Sequence, residues 1–287
     1  MTIRLAGILV GLGLVAVLVL WSLVPGVLDY ETPEHPAYYV LKEEPRTPEG
    51  GFSFDGPLGK WDTGQLQRGF AVYKQVCSAC HGLKFVNFRN LQDLGYSEAQ
   101  VRAEAATWNV PGIDPNTGEA TTRPGDFTDY FPSPYPNNVA AAAANNNAIP
   151  PDLSLMAKAR PNGSKYIYSL MSGYGKVNPE KMAEAQAEGF ETPEGLYFNP
   201  WFENVNIAMP PQLREGIVTY DDGTPATVDQ MAADVAAFLT WTAEPKMVQR
   251  KQTGWFVIAF LLVATGLAFM SYKQVWAGKK PKKVRKA

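Results

Sequence analysis

Cys77-Ser78-Ala79-Cys80-His81 decides how this chain is read, because the spacing C-x-x-C-H dictates one covalent product. Two cysteines three positions apart at a helix end can each form a thioether to one haem vinyl group. The histidine directly after them is then held beneath the iron as its fifth ligand. A bare C-x-x-C leaves a redox dithiol, half of a zinc site and chance in play. The adjacent His81 weighs against these. Thioredoxin-like dithiols sit on a βαβ pattern that the flanking sequence lacks, and zinc needs further Cys or His ligands. The chain has no other cysteine and one other histidine, His35, which lies between Pro33 and Pro36 and reads as a solvated loop residue.

Working outward, Asp62 or Thr63 caps a helix whose stripe Leu66, Gly69, Phe70, Tyr73 and Val76 is spaced three and four apart, and this helix delivers Cys77. After His81, Ser97 with Gln100 forms a capping box for a helix bearing Val101 and Ala105, with Trp108 in the core. Residues 110–150 contain seven prolines, the alanine run Ala140 to Ala144 and the triplet Asn145 to Asn147, without sustained periodicity. So long an irregular stretch is expected to lie against a large flat cofactor in place of a second layer of helices. Asp152 to Ala159 reads as a short helix capped by Asp152, and Ser164 to Gly173 as another with Tyr166, Ile167, Leu170 and Met171 on one face. Thr227 with Gln230 opens a helix carrying Met231, Val235, Phe238, Leu239 and Thr242, which ends before Pro245. It should pack across the helix before Cys77, with Gly69 allowing close approach and Phe70 meeting Phe238 or Trp241. The 25 glycines and 23 prolines fit a mainly α fold with long irregular loops, and two cysteines committed to a cofactor leave none for a disulfide.

Two apolar spans flank this core. Residues 1–28 hold 23 consecutive uncharged positions from Leu5 to Val27, enough to span a bilayer, and form either a retained anchor or a removed signal. No small-x-small cleavage pattern follows, which favours the anchor. Residues 29–61, rich in Pro and Glu, read as a tether or surface strap; residues 62–252 form the haem domain. Residues 253–272 are a transmembrane helix, with Trp255, Tyr272 and Trp276 at aromatic-belt positions. Residues 273–287 form a basic tail whose seven Lys and Arg outweigh Lys246, Arg250 and Lys251 on the other flank. This bias puts the C-terminus in the cytoplasm and the haem domain in the periplasm of a bacterial inner membrane.

A ligand on the second face of the iron decides between an electron carrier and an enzyme with an open position. Met and Lys compete for it. Most of the eight methionines lie on helix stripes or in membrane spans, where Met is packing material. Met209 instead sits in a loop stiffened by Pro210 and Pro211, far in sequence from the haem motif.

At these residues the chain resembles the cytochrome c1 family, the haem subunits of ubiquinol-cytochrome c reductase (the bc1 complex). The resemblance runs from about Phe54 to the C-terminal span. It rests on Gln67 to Phe70, Ala148 to Leu155, Lys158-Ala159-Arg160, Tyr166 to Leu170, Gly195 to Pro200, Ile207 to Pro211 and Ala243-Glu244-Pro245. It implies a cytochrome c-type helical core enlarged by loops, one covalent haem c on Cys77 and Cys80, Met209 as the sixth ligand opposite His81, and Arg160 and Tyr166 near the propionates. It also implies the partners: cytochrome b, the Rieske iron-sulfur protein and cytochrome c, with no nucleic acid and no small-molecule substrate of its own. The first span and its Pro- and Glu-rich insert depart from the family, which usually begins with a cleavable signal; so does the uncharged alanine run.

The implied function is one-electron transfer from the Rieske subunit to cytochrome c in a respiratory or photosynthetic chain. The protein would be the electron-transfer subunit of a quinol-cytochrome c reductase, with no bond chemistry of its own. Two rivals are a haem enzyme such as a peroxidase and a membrane-tethered c-type carrier serving a terminal oxidase. Residues 29–252 carry all 28 acidic residues against 18 of the 26 basic ones, a net charge of −10 that would steer a basic partner.

Overall fold

A computed structural model describes residues 2–28 and 36–279. His35 and the tail beyond Lys279 lie outside the described residues. In chain order the helices are α1 (Thr2–Leu28), α2 (Thr63–Gln75), α3 (Glu98–Ala105), α4 (Asn138–Ala144), α5 (Met156–Ala159), α6 (Gly163–Ser172), α7 (Pro179–Ala187), α8 (Val228–Ala243) and α9 (Met247–Val275). Short 3₁₀ turns cover Ala37–Leu41, Cys77–Ala79 and Phe88–Leu94. Two antiparallel pairs complete the list: β1 (Asn109–Ile113) with β2 (Ala120–Pro124), and β3 (Tyr197–Phe198) with β4 (Asn206–Ile207). The chain is mainly helical, with long irregular connections and two helices long and apolar enough to cross a membrane.

The domain is organised where α2 crosses α8. Asp62 caps α2 by accepting from Gln65 N at 3.1 Å, and Leu66, Gly69, Phe70 and Tyr73 are buried. Nearly every residue of α8 is buried, so this helix is the floor against which both α2 and α6 pack. A Cβ on Gly69 would overlap the Asp234 carbonyl oxygen and lie 2.6 Å from Phe238 Cβ, so the crossing distance is set by the missing side chain. Above it the rings of Phe70 and Tyr73 lie 5.8 and 5.9 Å from that of Phe238. Phe131, from an irregular segment, meets Phe70, Tyr73, Phe88 and Trp108 within 6.1 Å. Each buried ring stabilises the fold by roughly 1.5–3 kcal/mol, which is how a loop becomes part of the core.

Several expectations need correction. Residues 110–150 are not without regular structure: they include most of the β1–β2 hairpin and α4. The hairpin turn is made by Asp114, whose Oδ1 accepts from Asn116 N at 2.7 Å, with Gly118 at φ 73°. Its strands are largely exposed, so no apolar alternation announces them. Asn137 caps α4 by accepting from Ala140 N at 2.9 Å. Asp152 caps no helix, since α5 starts at Met156 and the carboxylate serves other backbone groups. Thr227 does cap α8, but Gln230 turns away to bond Asp234 Oδ1 at 2.9 Å. The buried face of α6 comprises Ile167, Tyr168, Ser169 and Ser172, leaving Tyr166, Leu170 and Met171 half-buried. Residues 175–197, which offer no sustained apolar spacing, contain α7, capped by Asn178.

Residues 36–61 are built onto the body. Leu41 is buried with Ala185 and Val205, and Phe52 and Phe54 enter the main core. The Arg46 guanidinium donates to Ser172 Oγ at 2.9 Å and stacks over Tyr168. α9 begins at Met247, ahead of the apolar span, and Lys251 in its first turns donates to the carbonyls of Phe54 and Gly56, both at 2.9 Å.

Gly69→Ala tests the crossing. Alanine favours helix by about 1 kcal/mol over glycine, but overpacking against the α8 backbone costs about 1–3 kcal/mol or more. The variant should be net destabilised, read as a lower denaturant midpoint with an unchanged slope.

Candidate functional site

α2 ends at Val76, and the chain tightens into the 3₁₀ turn that carries the motif. Cys80 N and His81 N both donate to the Cys77 carbonyl, at 3.1 and 2.9 Å, which folds the two thiols and the imidazole onto one turn. Neither cysteine is in a disulfide. Burial pushes the Cys77 thiol up to about 12, with Cys80 adding to the rise, the opposite of the depressed thiol a redox dithiol needs. Among the described residues no group of three or more His, Cys, Asp or Glu is gathered as metal ligands.

His81 is locked by backbone. Its Nδ1 lies 2.7 Å from the Pro151 carbonyl oxygen. A carbonyl can only accept, so Nδ1 carries the proton and Nε2 keeps its lone pair for a ligand. Burial lowers the His81 pKa, outweighing the Pro151 bond and nearby Asp152, which both raise it; the direction favours the neutral imidazole that metal ligation uses. Tyr73 donates to the His81 carbonyl at 3.0 Å. The Pro151 carbonyl is itself fixed, because residues 151–154 are zipped onto 82–85. Leu153 N donates to Gly82 O at 2.9 Å, Lys84 N to Asp152 Oδ2 at 2.9 Å and Phe85 N to Ser154 Oγ at 3.1 Å.

Met209 lies half-buried just past β4, and its carbonyl accepts from the Tyr174 hydroxyl at 2.8 Å. Burial raises the Tyr174 hydroxyl, with Tyr166 nearby adding to it. Burial likewise raises Tyr166, opposed by Arg160 beside it. Tyr174 is thus bonded to Met209, with Tyr166 and then Arg160 within electrostatic reach. Arg160 is exposed and donates to its neighbour's carbonyl, Ala159 O, at 3.2 Å. Beside Cys80 a cavity of about 410 Å³ opens among Tyr135, Asn137, Ala141, Ile149 and Pro151. The Tyr135 hydroxyl there stands 3.7 Å from Cys80 Sγ.

Sequence reasoning missed Pro151, Asp152 in this role, and Tyr174. A backbone acceptor carries no side-chain signature, and a tyrosine just past a helix end looks like any core aromatic.

The fold and motif define a helical protein with a C-x-x-C-H site and two helices suited to a membrane. Residues 52–279 match the Cytochrome C1 family. The chain is 47% identical over 232 residues to cytochrome c1 of Rhodospirillum rubrum, covering 78% of this chain and 85% of that one. It is 46% identical over 245 residues to cytochrome b/c1 of Bradyrhizobium diazoefficiens, covering 81% of this chain but 36% of that longer protein. With the mitochondrial heme protein cytochrome c1-2 of Solanum tuberosum the identity is 42% over 230 residues, 80% of this chain and 85% of that one. The chain belongs to the cytochrome c1 family.

Asp152→Ala tests the zip that holds the Pro151 carbonyl. Removing a charged acceptor from two backbone N–H groups should cost about 1.5–3 kcal/mol, and Asp152→Asn, which keeps one acceptor oxygen, should recover part of the loss in a denaturant titration.

Proposed function

We propose that the protein is the one-electron carrier of a cytochrome bc1 complex, taking an electron from the Rieske iron-sulfur subunit and passing it to cytochrome c. One haem c would be joined through Cys77 and Cys80 and ligated by His81 and Met209. The observation that carries the reading is the His81–Pro151 bond, which aims a neutral imidazole with a free Nε2 out of the same turn that presents two unpaired thiols. The half-buried Tyr166, Leu170 and Met171 supply an apolar face that a large flat group would cover. When bound, the haem supplies an iron centre that alternates between ferric and ferrous states.

The chain's own residues hold and tune that centre. Met209 presents a soft thioether that favours the ferrous state and closes the position that peroxide chemistry would need. Arg160 and Tyr166 offer a guanidinium fork and a hydroxyl to the propionates. α9 anchors the domain, with the basic tail in the cytoplasm and the haem domain in the periplasm. α1 is long and apolar enough to be a second anchor, and a removed signal is its alternative. Cytochrome b is the neighbour within the bilayer.

Two stretches of the domain are acidic, Asp114, Glu119, Asp126 and Asp129 in one and Glu180, Glu184, Glu188, Glu191 and Glu194 in the other, and ion pairing separates them. Asp126 and Asp129 are offset by Arg102 and Arg123, at 2.9 and 2.6 Å. Among the described residues no ion pair reaches Glu180, Glu184, Glu188, Glu191 or Glu194, and Lys181 is drawn off to Glu43 at 2.6 Å. The stretch around α7 therefore carries the stronger field for a basic acceptor.

Met209→Leu keeps the volume and removes the sulfur. The potential should fall and carbon monoxide should bind the ferrous form; an unchanged spectrum with carbon monoxide still excluded sinks the assignment. The rate of reducing a basic cytochrome c should fall steeply with salt, and the triple change Glu184→Gln, Glu188→Gln, Glu191→Gln should flatten that dependence. A rate indifferent to ionic strength would mean that docking is apolar.

A further inference from the structure

The loop that carries Met209 is fastened to the C-terminal end of α6 at three points. Asn199, fully buried, donates through Nδ2 to the Leu170 carbonyl at 2.8 Å and accepts from Trp201 N at 3.1 Å. The Trp201 ring packs where a Cβ on Gly173 would stand. The Tyr174 hydroxyl donates to the Met209 carbonyl at 2.8 Å. The first two points hold the start of the loop, closed on itself by Asn199 N donating to Val205 O at 2.8 Å. The third reaches the residue that bears the sulfur.

The end of α6 is a fixed point from which to hold that residue. Ser172 and Ser169 are buried, and Arg46 of the strap bonds both, through its guanidinium to Ser172 Oγ at 2.9 Å and through its backbone N–H to Ser169 Oγ at 2.8 Å. On the other side of Met209, Pro210 and Pro211 have φ fixed by their rings. A methionine side chain has three rotatable bonds and little preference of its own, so where its sulfur can reach depends on how firmly its backbone is held.

We propose that Tyr174 is a positioning residue for the axial methionine: its hydrogen bond to the Met209 carbonyl sets the orientation from which the thioether reaches the iron, and so contributes to the strength of that bond and to the potential. This rests on the reading of Met209 as sixth ligand. Tyr174 touches neither iron nor sulfur and acts through the backbone of its neighbour in space.

The test uses the full-length holoprotein in detergent and compares Tyr174→Phe, Met209→Leu and Tyr168→Phe. Tyr168 lies on the same helix, donates to Asp229 Oδ1 at 2.6 Å, accepts from the Arg46 guanidinium at 3.4 Å and makes no bond to Met209. Three quantities are read: the ferric absorption band of the sulfur–iron bond, the midpoint potential, and the affinity of the ferrous form for carbon monoxide. Tyr174→Phe should weaken the band, lower the potential and raise carbon monoxide affinity about tenfold, the scale of one hydrogen bond. Tyr168→Phe should lower the thermal midpoint and leave all three in place. If Met209→Leu abolishes the band while Tyr174→Phe changes none of the three, the positioning role is overturned and the ligand stands. If Met209→Leu itself changes nothing, the ligand assignment falls and the proposal falls with it. Should Tyr174→Phe not take up haem, the bond is read in an experimentally determined structure of the unaltered holoprotein, where a hydroxyl-to-carbonyl separation beyond hydrogen-bond reach overturns the proposal.

Discussion

The closest constraint in this fold is the contact of α2 with α8 at Gly69, since the C-x-x-C-H turn hangs from the end of α2. Beside the glycine, Arg68 Nε donates to Asp234 Oδ2 at 3.1 Å and its Nη1 to Asp222 Oδ2 at 2.8 Å, with Gln230 completing the shell of Asp234. Asp234 is fully buried, and burial pushes its carboxyl above the usual range against the pull of Gln230 and Arg68. A carboxylate so placed adds little net stability, because desolvation offsets most of its attraction to arginine. Its contribution is register. A one-residue slide of α2 would carry Gly69 away from the Asp234 carbonyl and Arg68 away from the Asp234 carboxylate together. Steric and polar constraints thus agree on one alignment, which fixes where Cys77 emerges.

The same logic runs at the membrane end. α8 ends at Ala243, α9 starts at Met247, and the strap closes over the junction. Trp61 Nε1 donates to the Pro245 carbonyl at 3.4 Å, and Lys251 binds two strap carbonyls. Glu244 is shared between Lys158 and Arg250, at 2.7 and 2.8 Å. The domain is therefore fastened to its anchor by the strap and α5 as well as by the covalent chain. The family match begins at Phe52, so Leu41, Glu43 and Arg46 brace the domain from outside the matched region.

What could be read from sequence follows from where the signals are local. The helix before Cys77, the Ser97 capping box and the α8 stripe all declare themselves within a few residues, because caps and apolar spacing are near-neighbour physics. The motif names its cofactor for the same reason. The hairpin, α4 and α7 were invisible because they are short and mostly exposed, and nothing in their own sequence needed a buried stripe. α6 misled differently. Its apolar stripe Tyr166, Leu170 and Met171 is genuine, yet protein atoms cover the opposite face, through Tyr168, Ser169 and Ser172. Between tether and surface strap the sequence could not choose, because the anchoring contacts of residues 36–61 span more than a hundred residues of sequence, as in Arg46 to Ser172.

The bonds that hold the candidate ligands share one feature: they run to backbone carbonyls. His81 bonds Pro151, Tyr73 bonds His81, Tyr174 bonds Met209 and Asn199 bonds Leu170. A carboxylate in any of these roles would fix geometry equally well but would bring a titratable charge against the centre, where low dielectric amplifies it. Carbonyl dipoles hold position without titrating. Asp152 is the exception near His81, and its two oxygens are taken up by the backbone N–H groups of Lys84 and Ser154. For a group whose work is to change its own charge by one electron, such scaffolding keeps the ligand geometry independent of which protons the surroundings hold.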